Sequence, residues 1–212
     1  MAKAQPDFNI IKTANTKTSY TAHQIAEIKA CMASPLYFME NYMWIQHPDP
    51  TKGRMRFEPY EFQKKLIECY WKNVSSISLL PRQSGKTTCA AGFMLWYAMF
   101  NDDVTILIAA NKFKAATEVM DRVKFAYEEL PDWLRAGVNT YNVQDIRFDN
   151  RSRIKSTTTT PDSGRGMSIS LLYCLDGDST VTIRNKKTLK EENISLTELY
   201  TKLYNIQNII SE

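Results

Sequence analysis

The feature that most constrains this chain is the stretch Arg82-Gln83-Ser84-Gly85-Lys86-Thr87-Thr88. It stands where an apolar, β-branched run, Ser76-Ile77-Ser78-Leu79-Leu80, gives way to a long apolar segment from Cys89 to Phe100. Strand, glycine-containing loop and helix in that order make a cradle for phosphate groups. Backbone N–H groups of Ser84 to Thr87 would wrap a phosphate at the helix start, where the helix dipole favours an anion. Lys86 adds a point charge for the outer phosphates, and the Thr87 hydroxyl is the candidate ligand for a magnesium ion. The binding set is therefore Gln83, Ser84, Gly85, Lys86, Thr87 and Thr88. Five residues before Gly85, where such loops usually begin with glycine, stands Leu80, followed by Pro81, so the loop is a variant.

Upstream lies Phe57-Glu58-Pro59-Tyr60-Glu61-Phe62-Gln63-Lys64-Lys65. An aromatic beside a glutamine suits the adenine of ATP, because the ring stacks on the base and the Gln63 carboxamide both donates and accepts. The same residues equally read as a helix N-terminus, with Pro59 in the first turn and Gln63 merely exposed.

Downstream, Val104-Thr105-Ile106-Leu107-Ile108-Ala109-Ala110 is a continuous apolar run, as a parallel strand buried on both faces requires. Asn111 is placed to cap the next helix, whose apolar residues Phe113, Ala116, Met120, Val123, Tyr127 and Leu130 keep three-and-four spacing until Pro131. Two strand–helix units in succession predict a doubly wound α/β sheet. Ile146-Arg147-Phe148 and Arg153-Ile154-Lys155 read as a short hairpin, Thr157 to Gly166 as a polar loop, and Ile169 to Tyr173 as the next strand. Before the loop, Thr21 opens a helical pattern, interrupted at Pro35 and resumed through Ile45, and residues 1–20 read as a flexible arm.

A mononucleotide site places its second acidic motif after such a last strand: an Asp that holds magnesium and a carboxylate that polarises the attacking water. Leu171-Leu172-Tyr173-Cys174-Leu175-Asp176-Gly177 offers Asp176 for the first role and only Gly177 for the second.

Composition limits the classes. With 212 residues, 43% apolar and 24% charged, the chain has room for one core and a small extra module. No stretch approaches the roughly 20 apolar residues of a membrane span. Met1-Ala2-Lys3-Ala4-Gln5 lacks a signal-peptide core, and the expectation is a protein that stays where it is made. Cys31, Cys69, Cys89 and Cys174 lack metal-like spacing. A net charge of +4 is compatible with contacting nucleic acid without arguing for it.

Taken together, Arg82 to Thr88, the Tyr60-Glu61-Phe62-Gln63 region, Leu130-Pro131-Asp132-Trp133-Leu134 and Ser163-Gly164-Arg165-Gly166 before Leu171-Leu172-Tyr173 resemble the N-terminal ATPase domain of the large terminase subunit of tailed bacteriophages. The resemblance covers about residues 21–173, and the Arg-Gln-x-Gly-Lys-Thr-Thr variant is its most specific part. It implies a P-loop NTPase sheet of the ASCE (RecA-like) kind, parallel and incomplete on its C-terminal side. It also implies a motor that uses ATP and magnesium to thread double-stranded DNA into a capsid. The portal and the small terminase subunit would be its partners, in the cytoplasm of the infected bacterial host. By the same resemblance Arg82 serves the γ-phosphate and Gln63 reads adenine.

From Cys174 the pattern changes. Cys174-Leu175-Asp176-Gly177-Asp178-Ser179-Thr180-Val181 is similar to the opening block of inteins, with Ser179 where Thr is usual, and Ile194 to Tyr200 resembles the segment after the first intein hairpin. Charge shifts too: residues 174–212 hold five Lys/Arg and six Asp/Glu, against 22 and 17 in the rest. The implied organisation is a terminase part, 21–173, followed by a small β-rich N-terminal fragment of a split intein, 174–212. Cys174 would be the splicing nucleophile, and a separate chain would carry the complementary intein and terminase halves. The rival expectation is a self-sufficient P-loop nucleotide-binding or helicase-like ATPase, with a degenerate acidic motif at Asp176 and a C-terminal interaction tail. In that rival Cys174 is an ordinary buried strand cysteine.

Overall fold

The computed structural model describes residues 11–47, 51, 53–78, 80, 81, 83–159, 164, 166–175, 180–184, 191–195, 198 and 201. Helix α1, Ala22–Ala33, starts in a capping box: the Thr21 hydroxyl accepts from the Gln24 amide and the Gln24 side chain accepts from the Thr21 amide. Ser34 ends it and caps α2, Pro35–Tyr42, accepting from the Tyr37 amide at 3.2 Å. The expected continuation through Ile45 does not form. The chain leaves the helix at Met43, and β1, Trp44–Gln46, pairs antiparallel with β2, Arg54–Arg56. Two backbone bonds flank that ladder, His47 N to Gly53 O and Phe57 N to Met43 O, and the Arg54 and Arg56 guanidiniums lie over the Trp44 ring.

Next come α3, Glu61–Lys72, α4, Lys86–Phe100, β3, Thr105–Ala110, and α5, Phe113–Glu128. Helix α4 is apolar on every side and almost wholly buried, as such a helix must be. The N-cap of α5 is Lys112, one residue later than the sequence suggests. Then follow β4, Val138–Tyr141, β5, Asp145–Phe148, β6, Arg153–Thr158, and β7, Leu171–Leu175. A separate two-stranded sheet pairs β8, Thr180–Arg184, with β9, Glu191–Ser195.

The main sheet runs β4-β5-β6-β3-β7. The expectation of a parallel sheet is corrected, because only β6, β3 and β7 are parallel, whereas β4 and β5 join antiparallel. The anticipated hairpin does form, with Ile146 opposite Ile154, but β6 extends beyond it and pairs with β3, which fuses the hairpin to the sheet. Nor is the sheet doubly wound by helices. One continuous core takes Ile106, Ile108 and Ala110 from β3 together with the buried residues of α4 and α5, so both helices cover one face. The return from β6 to β7 runs the opposite way across β3, and a right-handed return crosses on the opposite face. There the loop brings Gly164, at φ +89°, against Leu107. The second layer is a loop among the described residues, not a helix.

A further correction concerns Ser76–Leu80. The described members of this run, Ser76, Ile77, Ser78 and Leu80, lie in no strand. A strand needs a neighbouring ladder, and β7 pairs on one side only, with β3, among the described residues. Within the expected flexible arm, Lys12 to Ala14 is pinned: Val138 N donates to Lys12 O, Ala14 N donates to Val138 O, and the Lys12 ammonium reaches Asp132 O.

Candidate functional site

The loop before α4 turns through two left-handed residues, Gln83 at φ +62° and Gly85 at φ +75°. Gly85 is the N-cap of α4, and its carbonyl accepts from the Cys89 amide at 3.0 Å. The amides that open α4 therefore stand at the end of a 15-residue helix, the arrangement that binds anions. Ser84 Oγ is buried with no hydrogen-bond partner among the described residues. Lys86 Nζ donates to Pro81 O at 3.3 Å, which folds the ammonium back over its own loop.

Gln63, expected either to read a base or to stand exposed, is buried beside the loop at 6% exposure. Its Oε1 accepts from the Tyr60 amide at 2.9 Å, and its Nε2 donates to Ser84 O at 2.9 Å. Tyr60 and Phe62 are exposed and stacked, with ring centroids 5.9 Å apart and 8° between planes.

The Thr87 side chain lies beside the Tyr173 phenol. Burial pushes that phenol up to about 12, and the neighbouring Thr87 hydroxyl pulls the other way. Register explains the contact, because Tyr173 pairs with Ile108 and so projects from β7 on the helix-covered face. On the other side Thr88 lines a cleft of about 410 Å³ together with Trp44, His47, Glu118, Asp121 and Arg122.

Cys174 lies within β7, opposite Ala109, and is half-buried. Burial raises its thiol above the ordinary cysteine value. Arg82 and Asp176 lie outside the described residues. The structure thus brings Gln63, Gln83, Ser84, Gly85, Lys86, Thr87 and Thr88 to one helix start and sets Cys174 on a strand one residue beyond the Thr87 neighbour, Tyr173.

Sequence reasoning missed the proximity of Tyr173 to Thr87 and the cleft beside Thr88. The first becomes readable once the register of β7 against β3 is known. The second draws on β1 and α5, which no local pattern links.

With this geometry in hand, a family model described as the terminase large subunit, T4likevirus-type, N-terminal, matches residues 77–196, more than half of the 212-residue chain. The chain belongs to the T4-type terminase large subunit family. The terminase match begins at the run before the glycine-containing loop, spans the whole five-stranded sheet, and continues past Cys174 through β8 and β9. It makes this chain part of a bacteriophage DNA-packaging terminase, at the domain that carries ATPase activity. No terminase helix among the described residues is long and apolar enough to cross a membrane.

Proposed function

We propose that the chain is the nucleotide-binding part of an ATP-driven motor that threads double-stranded DNA into a capsid. Its partners in this reading are the portal and the small terminase subunit, in the cytoplasm of the infected bacterium. The observation that carries the reading is the loop: two left-handed residues, a buried Ser84 hydroxyl with no partner among the described residues, and the amides that open α4. An orphaned hydroxyl beside helix-start amides fits a phosphate. Lys86 exchanges Pro81 O for the outer phosphates, Arg82 serves the γ-phosphate, and Gln83 to Thr88 wrap the rest. Thr87 would hold magnesium, which when bound neutralises charge on the phosphates. Gly177 stands where a water-activating carboxylate is needed, so hydrolysis depends on a carboxylate contributed from elsewhere in the motor.

Lys86→Ala removes a charge-assisted contact, and should weaken magnesium–ATP binding by about tenfold or more. Equal affinities of variant and parent in titration calorimetry would overturn the reading.

A second reading is favoured by one observation: at the end of β7, in place of a paired acidic motif, stands the Cys174-Leu175-Asp176-Gly177 block, which begins inside the strand, and after it a hairpin, β8–β9, forms its own sheet. In this reading the Cys174 sulfur attacks the Tyr173 carbonyl carbon, the Tyr173–Cys174 C–N bond breaks, and the thiol proton passes to the freed amine. The product is a thioester, a better acyl donor than the amide. A complementary intein segment on a separate chain then completes trans-splicing and supplies the rest of the terminase. Mixed with such a segment, the chain should yield a joined product containing residues 1–173, and Cys174→Ala should yield none. A joined product from Cys174→Ala, detected by mass spectrometry, would sink it.

A further inference from the structure

We infer that the outer edge of β1 is a docking site for an extended segment of another polypeptide, one that carries a basic side chain. Among the described residues β1 has a single strand neighbour, β2. His47 N donates to Gly53 O and Phe57 N donates to Met43 O, so the bonded pairs of this antiparallel ladder are Met43–Phe57, Ile45–Met55 and His47–Gly53. Trp44 and Gln46 alternate with them and turn both N–H and C=O away from β2. No described residue takes up those main-chain groups.

The cleft beside Thr88 lies along this edge. Neighbouring side chains of a strand point to opposite faces, yet every residue from Met43 to His47 lines the cleft, and no residue of β2 does. A cavity touched by each residue in turn runs along the main chain, on the side away from the partner strand. Its volume of about 410 Å³ is within the range of ligand sites. An open row of strand donors and acceptors is what an added strand completes.

The opposite wall sets the chemistry of the occupant. Glu118, Asp121, Arg122 and Phe125 fall on one face of α5 at three-and-four spacing. The three charged residues are exposed, and none is in an ion pair among the described residues, although Glu118 and Arg122 stand one turn apart. Two carboxylates against one guanidinium leave this wall net negative. A strand laid on β1 therefore gains most from an Arg or Lys on the side that meets α5. Thr88 belongs to the same lining, which brings the incoming segment to the first turn of α4.

Fluorescence anisotropy on the full chain tests the site, with short peptides of alternating valine and threonine whose central residue is Arg, Ser or Glu. The Arg peptide should bind most tightly and the Glu peptide about tenfold more weakly. Joint replacement Glu118→Lys and Asp121→Lys should reverse that order. N-methylation of the peptide amides that pair with β1 should abolish binding, because main-chain pairing needs those donors. Gln46→Pro deletes one outward N–H while sparing the bonds to β2, and it should weaken the Arg peptide about three- to tenfold. The N-methylated peptide needs no variant, so it decides the matter even where Gln46→Pro does not fold. No binding at about 1 mM peptide, indifference to N-methylation, or equal affinity for the Arg and Glu peptides would each overturn the inference. Self-association of the peptide-free chain that Gln46→Pro abolishes assigns the edge to a second copy and overturns it as well.

Discussion

Four thiols in this molecule differ in what burial does to them. Cys31 and Cys89 are fully buried, and desolvation pushes each up to about 12. Cys174 is raised by the same cause, while Cys69 is partly open on α3. The thiolate is the reactive form, so a raised pKa means a smaller reactive fraction at neutral pH and reactivity that climbs as pH rises. Iodoacetamide at pH 7 should therefore label Cys69 first and Cys174 slowly. Cys174 labelling should accelerate as pH rises, and Cys31 and Cys89 should stay protected until the protein unfolds. Mass spectrometry of a time course checks the order, and Cys174 modified as fast as a free thiol at pH 7 would contradict it. Under the proposed splicing reading, acyl transfer from Tyr173 would require β7 to loosen from β3 first. The junction at Gln83 to Thr88 was legible from the sequence because a glycine-containing turn before a long apolar run marks a helix start. The engagement of Gln63 with Ser84 O was not, since it joins residues 21 positions apart across two elements.

At the scale of elements, α4 is the hub, and one hydrogen bond ties it to the N-terminal helices: Trp96 Nε1 donates to Cys31 O at 2.7 Å within the core. The Ser34 amide also donates to that carbonyl, so losing the indole leaves it weakly partnered and not orphaned. Trp96→Phe removes the donor and some packing against Phe93 and Phe100. It should lower stability by about 1–3 kcal/mol, read as a lower denaturant midpoint at unchanged slope. Helix α5 was legible in the sequence because its buried face repeats every three to four residues, and α4 and β3 because each is an unbroken apolar run. Trp44–Gln46 was not, since its strand character comes from pairing with Arg54–Arg56. The run Ser76–Leu80 shows the converse failure, a strand-like composition without a described neighbour to complete its ladder.

At the scale of the whole molecule, the sheet is organised by direction. From β3 the chain moves outward through α5 to the β4–β6 ladder, then returns over the opposite face to β7. Two helices in succession did not put helices on both faces, because α4 and α5 both pack against the face that carries Ile106, Ile108 and Ala110. The strand order also has a consequence for synthesis. Strand β3 is paired on both sides, yet both of its partners, Ile154 opposite Ile106 on β6 and Leu171 opposite the same residue on β7, are made long after it. Parallel pairings between distant segments close slowly, because the chain-loop entropy is lost before the contacts form. As the polypeptide leaves the ribosome, β3 therefore emerges with both edges unpaired, and the edge that faces β7 stays open until β7 arrives. Slow closure of the sheet is the expected consequence of the order in which its strands are made, with β7 the last of the five to pair.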